Sequence, residues 1–89
     1  VKTIDWSIHP GQILREALQV RGLTQAALAK LLHRPAQVVS DIVTGKKAIT
    51  ADTALDLQQG LGISAEFWVH AQAEHDLHLA RQRRAGRDA

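Results

Sequence analysis

The sequence predicts an all-α fold, a single domain of five short helices, and three observations carry that prediction. Apolar residues recur at i, i+3, i+4 intervals, as in Leu28, Leu31 and Leu32 and again in Val39, Ile42 and Val43, the spacing of one buried helical stripe. Helix starts and stops are punctuated: Thr24, Thr50 and Ser64 stand where N-caps belong, and Gly22, Gly45 and Gly62 stand where helices end. The segments so marked exhaust the chain, and at 89 residues there is room for one small core and no second.

Residues 1–9 form an N-terminal arm in which Ile4, Trp6 and Ile8 alternate, a short extended piece suited to capping the core or pairing with a partner's edge. The helical domain spans residues 10–80. Pro10 opens the first helix at a position where its missing N–H costs nothing, and Ile13, Leu14, Ala17 and Leu18 mark its buried face up to Gly22. The second helix runs from the Thr24 cap to about Leu32. His33, Arg34 and Pro35 make a turn, and the third helix follows over about Pro35 to Thr44. Thr50 caps the fourth, with Asp52 in its first turn and Ala54, Leu57 and Leu61 on its buried line. Ser64 caps the fifth, whose Phe67, Trp68, Ala71, Leu77 and Leu79 lead to residues 81–89, a basic tail expected to be disordered.

Thr24 to Gly45 therefore read as two short amphipathic helices joined by a tight turn, with the small Ala29 where they would cross. That layout is a helix-turn-helix, a motif whose second helix is sized to enter the major groove of DNA. With Val39, Ile42 and Val43 inward, Gln37, Ser40, Asp41 and Thr44 face outward. Gln37 suits a paired contact with adenine, Ser40 and Thr44 can bond bases or phosphates, and Asp41 could accept from cytosine but is otherwise repelled by the backbone. Gln25, Lys30, Arg34, Lys46 and Lys47 make a rim for phosphates. One such motif buries too little for tight binding, so a homodimer on a palindrome is expected. Trp68, Gln72, His75 and Leu79, at i, i+4, i+7, i+11 on the fifth helix, are the expected dimer seam.

The formal charge is only +2, and its distribution matters more. Arg81, Arg83, Arg84 and Arg87 are opposed in the tail by Asp88 alone, while residues 1–80 hold seven basic against eight acidic side chains. Attraction to a polyanion must come from a local patch or the tail. The chain has no cysteine, which excludes disulfides and thiolate metal sites. It shows no apolar run of membrane-spanning length and no signal-peptide layout, so a cytoplasmic protein is expected. His70, Glu74 and His78 share a helical face, but the ends of that pattern lie about 12 Å apart, too far for one ion. No nucleophile, base and carboxylate constellation or phosphate-cradling glycine loop is present, and neither enzymatic activity nor a cofactor is expected.

Five blocks carry a resemblance: His9-Pro10-Gly11 with Ile13-Leu14; Gly22-Leu23-Thr24-Gln25 with Leu28-Ala29; Ser40-Asp41-Ile42-Val43 with Gly45-Lys46-Lys47; Ile49 through Leu55; and Glu66-Phe67-Trp68. In these the chain resembles the HigA-type (VapI-like) antitoxins of the Xre/Cro helix-turn-helix family, whose fold is lambda-repressor-like. The resemblance implies a small cytoplasmic antitoxin that dimerises, binds a palindromic operator to repress its own operon, and neutralises a RelE/HigB-like RNA-cleaving toxin. On that footing the N-terminal arm could also contact toxin or minor groove. Three departures stand out. His33 replaces a usual glycine, Arg34 a usual apolar residue, and Ala36-Gln37-Val38 opens a helix that commonly starts with arginine or another long polar side chain. The alternatives are a toxin-binding module with little specific DNA recognition and a stand-alone Xre-type transcription regulator.

Overall fold

The computed structural model describes residues 5–88 and contains five helices: α1 (Pro10–Arg21), α2 (Gln25–Leu32), α3 (Ala36–Val43), α4 (Ala51–Leu61) and α5 (Ala65–Asp88). Their ends follow the chemistry of the caps. Thr24 Oγ1 accepts from the Ala27 amide at 3.0 Å, Thr50 Oγ1 from Thr53 at 3.2 Å, and Ser64 Oγ from Phe67 at 3.2 Å. Gly22 and Gly62 end α1 and α4 in the left-handed region. His33 does the same for α2 with φ 55°, a conformation that histidine adopts more readily than most side chains. The Arg34 amide then donates to the Ala29 carbonyl at 3.1 Å, which closes the turn. Pro35 is the N-cap of α3, so the helix itself starts one residue later than the spacing suggested.

Each helix packs on its neighbours in a closed circuit: α1 on α3 and α5, α2 on α3 and α4, and α4 on α5. Such a ring encloses one core, with Leu14, Leu28, Val39, Leu57 and Trp68 all fully buried at its centre. At Gly11, α1 and α3 approach closely. A Cβ on Gly11 would fall inside the Ile42 carbonyl oxygen, so only glycine lets the start of α1 lie against the backbone of α3.

Three expectations are corrected. Leu31 is 50% exposed: the buried stripe of α2 is Leu28, Ala29 and Leu32, and Leu31 lies at its edge. Asp5 to Ile8 form a turn rather than an extended arm, held by the Ser7 amide donating to Asp5 Oδ1 at 2.9 Å and by Trp6 set edge-on against His70. Residues 1–4 of that arm lie outside the described residues. Arg81 to Arg87 continue α5 as helix instead of fraying, in keeping with a run of alanine, arginine and glutamine that has no breaker before Gly86.

Candidate nucleic-acid interface

The outward side of α3 carries Gln37, Ser40, Asp41 and Thr44, while Val39, Ile42 and Val43 fix the opposite side in the core. Its polar groups bond to one another. Gln37 Nε2 donates to Asp41 Oδ1 at 2.8 Å, one helical turn on, and the Thr44 hydroxyl donates back to the Ser40 carbonyl at 2.9 Å. Asp41 also anchors the loop after the helix. The Lys47 amide donates to its carbonyl at 3.0 Å, and Lys47 Nζ stands 4.0 Å from Asp41 Oδ2, whose side chain is only 15% exposed. Lys46 is exposed beside it, at the glycine corner where Gly45 takes φ 82°.

Two members of the expected rim sit differently. Arg34 turns away from α3 and pairs with Asp56 of α4, Nε to Oδ2 at 2.6 Å. The pair braces the turn against α4. Gln25, the first residue of α2, is half-buried and shares a cleft with Arg15 and Gln19 of α1. Sequence reasoning missed those two. Their signal is only that both are polar on the exposed side of α1, and nothing in the spacing brings them to the start of α2. Lys30 is exposed on α2. The structure thus gathers Gln37, Ser40, Asp41, Thr44, Lys46 and Lys47 on α3 and its following loop, with Gln25 at the start of α2.

Three of the four residues of the expected dimer seam are engaged within the protein. Trp68 is 0% exposed and belongs to the core. Gln72 Oε1 accepts from the Ile49 amide at 2.8 Å, and His75 Nδ1 donates to the Trp6 carbonyl at 3.0 Å. Leu79 lines a cleft with Gly45, Lys47 and Ala48. Trp68, Gln72 and His75 are therefore engaged within the protein itself, while Leu79 at the end of the stripe remains 38% exposed. A different stripe of α5 is exposed: Val69, Ala73 and Leu77, with Leu55 of α4 beside Val69 across a shallow apolar groove.

His9 packs next to Gly45, and its Nδ1 is buried with no hydrogen-bond partner among the described residues. Burial first, then the charges of His75 and Arg15, hold its pKa below the ordinary histidine value. His70 is turned to Trp6, and among the described residues no three His, Cys, Asp or Glu side chains converge as metal ligands would. No helix among them is long and apolar enough to cross a membrane.

A family profile described as helix-turn-helix matches residues 14–68. The chain is 46% identical over 77 residues to virulence-associated protein I of Dichelobacter nodosus, a match that covers 85% of this chain and 71% of that protein. Its fold superimposes with a TM-score of 0.85 on the Pseudomonas aeruginosa antitoxin HigA solved with the higBA promoter, at 39% identity over 91% of this chain and 89% of that one. The chain belongs to the HigA-type antitoxins of the helix-turn-helix family. A further similar fold is PA4674 of Pseudomonas aeruginosa, solved in complex with its operator DNA, at 38% identity, TM-score 0.85, and coverage of 91% of this chain and 90% of that one. Within the HigA-type fold, α2 and α3 are the helix-turn-helix and α5 closes the bundle.

Proposed function

We propose that this chain is the antitoxin of a type II toxin-antitoxin pair, acting by binding rather than by catalysis. As a dimer it represses its own operon in the cytoplasm by seating α3 in the major groove of a palindromic operator, and it neutralises a RelE/HigB-like toxin. The observation that carries the DNA half is the polar outer side of α3, continued by the exposed Lys46 and Lys47, in a family whose relatives are solved with a promoter and with operator DNA. Gln37 is the base reader, exchanging its bond to Asp41 for the paired donor and acceptor of an adenine edge. Ser40 and Thr44 add contacts to bases or phosphates, and Lys46, Lys47, Lys30 and Gln25 hold the backbone, with Arg15 and Gln19 beside Gln25.

Gel shifts on the chain's own upstream region test this reading. Gln37→Ala should cost about 1 to 3 kcal/mol on the cognate site and little on random DNA, whereas Lys46→Ala should weaken both alike. Equal effects of Gln37→Ala on both DNAs would remove it from base reading. The dimer is assigned to Leu55, Val69, Ala73 and Leu77, because exposed apolar side chains grouped on two adjacent helices are what a two-fold partner covers. A monomer in sedimentation at micromolar concentration would overturn that assignment.

One observation favours a second reading. Gln37 and Arg34 are both engaged within the protein, which suits a toxin-binding module with little specific DNA recognition. Failure to shift the upstream region, with retention of the toxin, would select it. A reading frame for a small RelE-like protein next to this gene separates both from a stand-alone regulator.

A further inference from the structure

The arginines that follow Ala80 lie outside the helix-turn-helix, and α5 presents them on different faces. Gln72, Asp76 and Leu79 line one cleft with Gly45, Lys47 and Ala48, so this stripe of α5 lies along the loop that leaves α3. The bond from the Ile49 amide to Gln72 fixes that register. Carried on at helical intervals, the same stripe reaches Arg83, four residues after Leu79, and Arg87, four after that. Both are exposed, and they stand about 6 Å and about 12 Å further along the helix axis than Leu79. Arg81 and Arg84 are exposed too, but they are rotated from Arg83 by roughly 160° and 100°.

We propose that the end of α5 is a second nucleic-acid contact, in which Arg83 and Arg87 hold the phosphate backbone beside the stretch covered by α3 and the Lys46–Lys47 loop. Charge argues for a polyanion here. The first 80 residues carry one more acid than base, so the four arginines of residues 81–87 are the strongest local cation density on the chain. Position argues for the same DNA, because the stripe that bears Arg83 and Arg87 is the one seated against the lysine loop. The contact is to phosphates, so it adds affinity and salt dependence without sequence preference.

The inference rests on the DNA-binding reading, and the test separates the two. The full chain, the pair Arg83→Gln with Arg87→Gln, and the pair Arg81→Gln with Arg84→Gln are titrated by fluorescence anisotropy. The probes are the upstream duplex and a random duplex of equal length, each over a range of KCl. Glutamine keeps helix propensity and removes equal charge from each pair, and circular dichroism checks the helix content. The expected result is that the Arg83 and Arg87 pair flattens the slope of log K against log salt by about 0.9 for each phosphate no longer neutralised, on both DNAs. The Arg81 and Arg84 pair should move it much less. Equal changes for the two pairs, or none for either, would overturn the clamp while operator binding by the unaltered chain stands. No binding of either duplex by the unaltered chain would overturn the DNA reading beneath it, and the clamp with it. Unchanged slopes together with a failure to bind the toxin of the adjacent gene would assign the arginines to a protein surface and likewise overturn the clamp.

Discussion

The two sides of α3 are held by different kinds of interaction. On the inner side Val39, Ile42 and Val43 are buried against neighbouring helices, and Gly11 brings the backbone of α1 onto that of α3. On the outer side each bond joins residues within six positions of each other: Gln37 to Asp41, Thr44 to Ser40, and Lys47 to Asp41. Packing of the first kind can be undone only by moving a helix. Of the second kind, the Gln37–Asp41 bond can be broken and remade with a partner at small cost, since a pair of side chains one turn apart contributes only about 0.2 to 0.5 kcal/mol. The helix is thus fixed in place by one side and left free to exchange bonds on the other, which is what a reading surface on a small scaffold requires.

The largest effect is expected from breaking the inner side. Gly11→Ala should destabilise the fold by about 3 kcal/mol or more, the upper end of the range for overpacking, because the obstacle is a backbone oxygen rather than a flexible side chain. Urea denaturation measures it, and a change under about 0.5 kcal/mol would show that α1 and α3 do not meet at this distance. Operator affinity should fall with stability, since α3 can no longer sit where α1 now holds it.

The same division explains what the sequence made legible. The caps Thr24, Thr50 and Ser64, the glycine stops and the i, i+3, i+4 stripes are local signals, and they located all five helices. The outer side of α3 was legible as a set of residues for the same reason, one helical wheel. What escaped was every feature that depends on a distant segment. Leu31 shares the spacing of its neighbours, but only the position of α4 decides where the buried stripe stops. Trp68, Gln72, His75 and Leu79 do form a stripe on α5. Its periodicity is the same whether it faces a second copy or the protein's own N-terminal turn, and only the bonds with Trp6 and Ile49 reveal that His75 and Gln72 are engaged internally. Arg34 reads as a free cation until Asp56, 22 residues on, is placed 2.6 Å away.

A smaller effect sharpens the outer side. Asp41 is the acidic group on the face proposed to meet phosphates, and Asn keeps its size and its ability to accept from Gln37. Asp41→Asn should raise affinity for random DNA by about 1 kcal/mol at low salt, with the gain shrinking as screening increases. Stability should change by no more than about 0.5 kcal/mol. Weaker binding to random and cognate DNA alike would mean that the anchoring of Lys47 outweighs the repulsion, and that the outer side is less exchangeable than its short-range bonds imply.

The smallest effect tests whether the two sides are coupled at all, through His9. Its ring lies against Gly45, at the corner where α3 gives way to the lysine loop, and it immediately precedes the Pro10-Gly11 pair that meets the inner side. Burial lowers the pKa of His9 in the folded protein, with the nearby charges of His75 and Arg15 acting in the same direction. The unfolded chain protonates it near the ordinary value of about 6.5, so between that value and the depressed folded one the unfolded state binds more protons. Stability from this group is therefore complete above about pH 6.5, declines as pH falls below it, and stops declining beneath the folded value. Tm should therefore fall between about pH 7.5 and 5.5 by a part attributable to His9. His9→Gln should remove that part of the drop, and His33→Asn, at an exposed turn that asparagine also tolerates, should keep it. Operator affinity measured on the same variants then decides the coupling. If it falls with pH in the unaltered chain and not in His9→Gln, protonation at the inner junction reaches the lysine loop through Gly45; if Tm responds and affinity does not, the two sides of α3 are energetically separate.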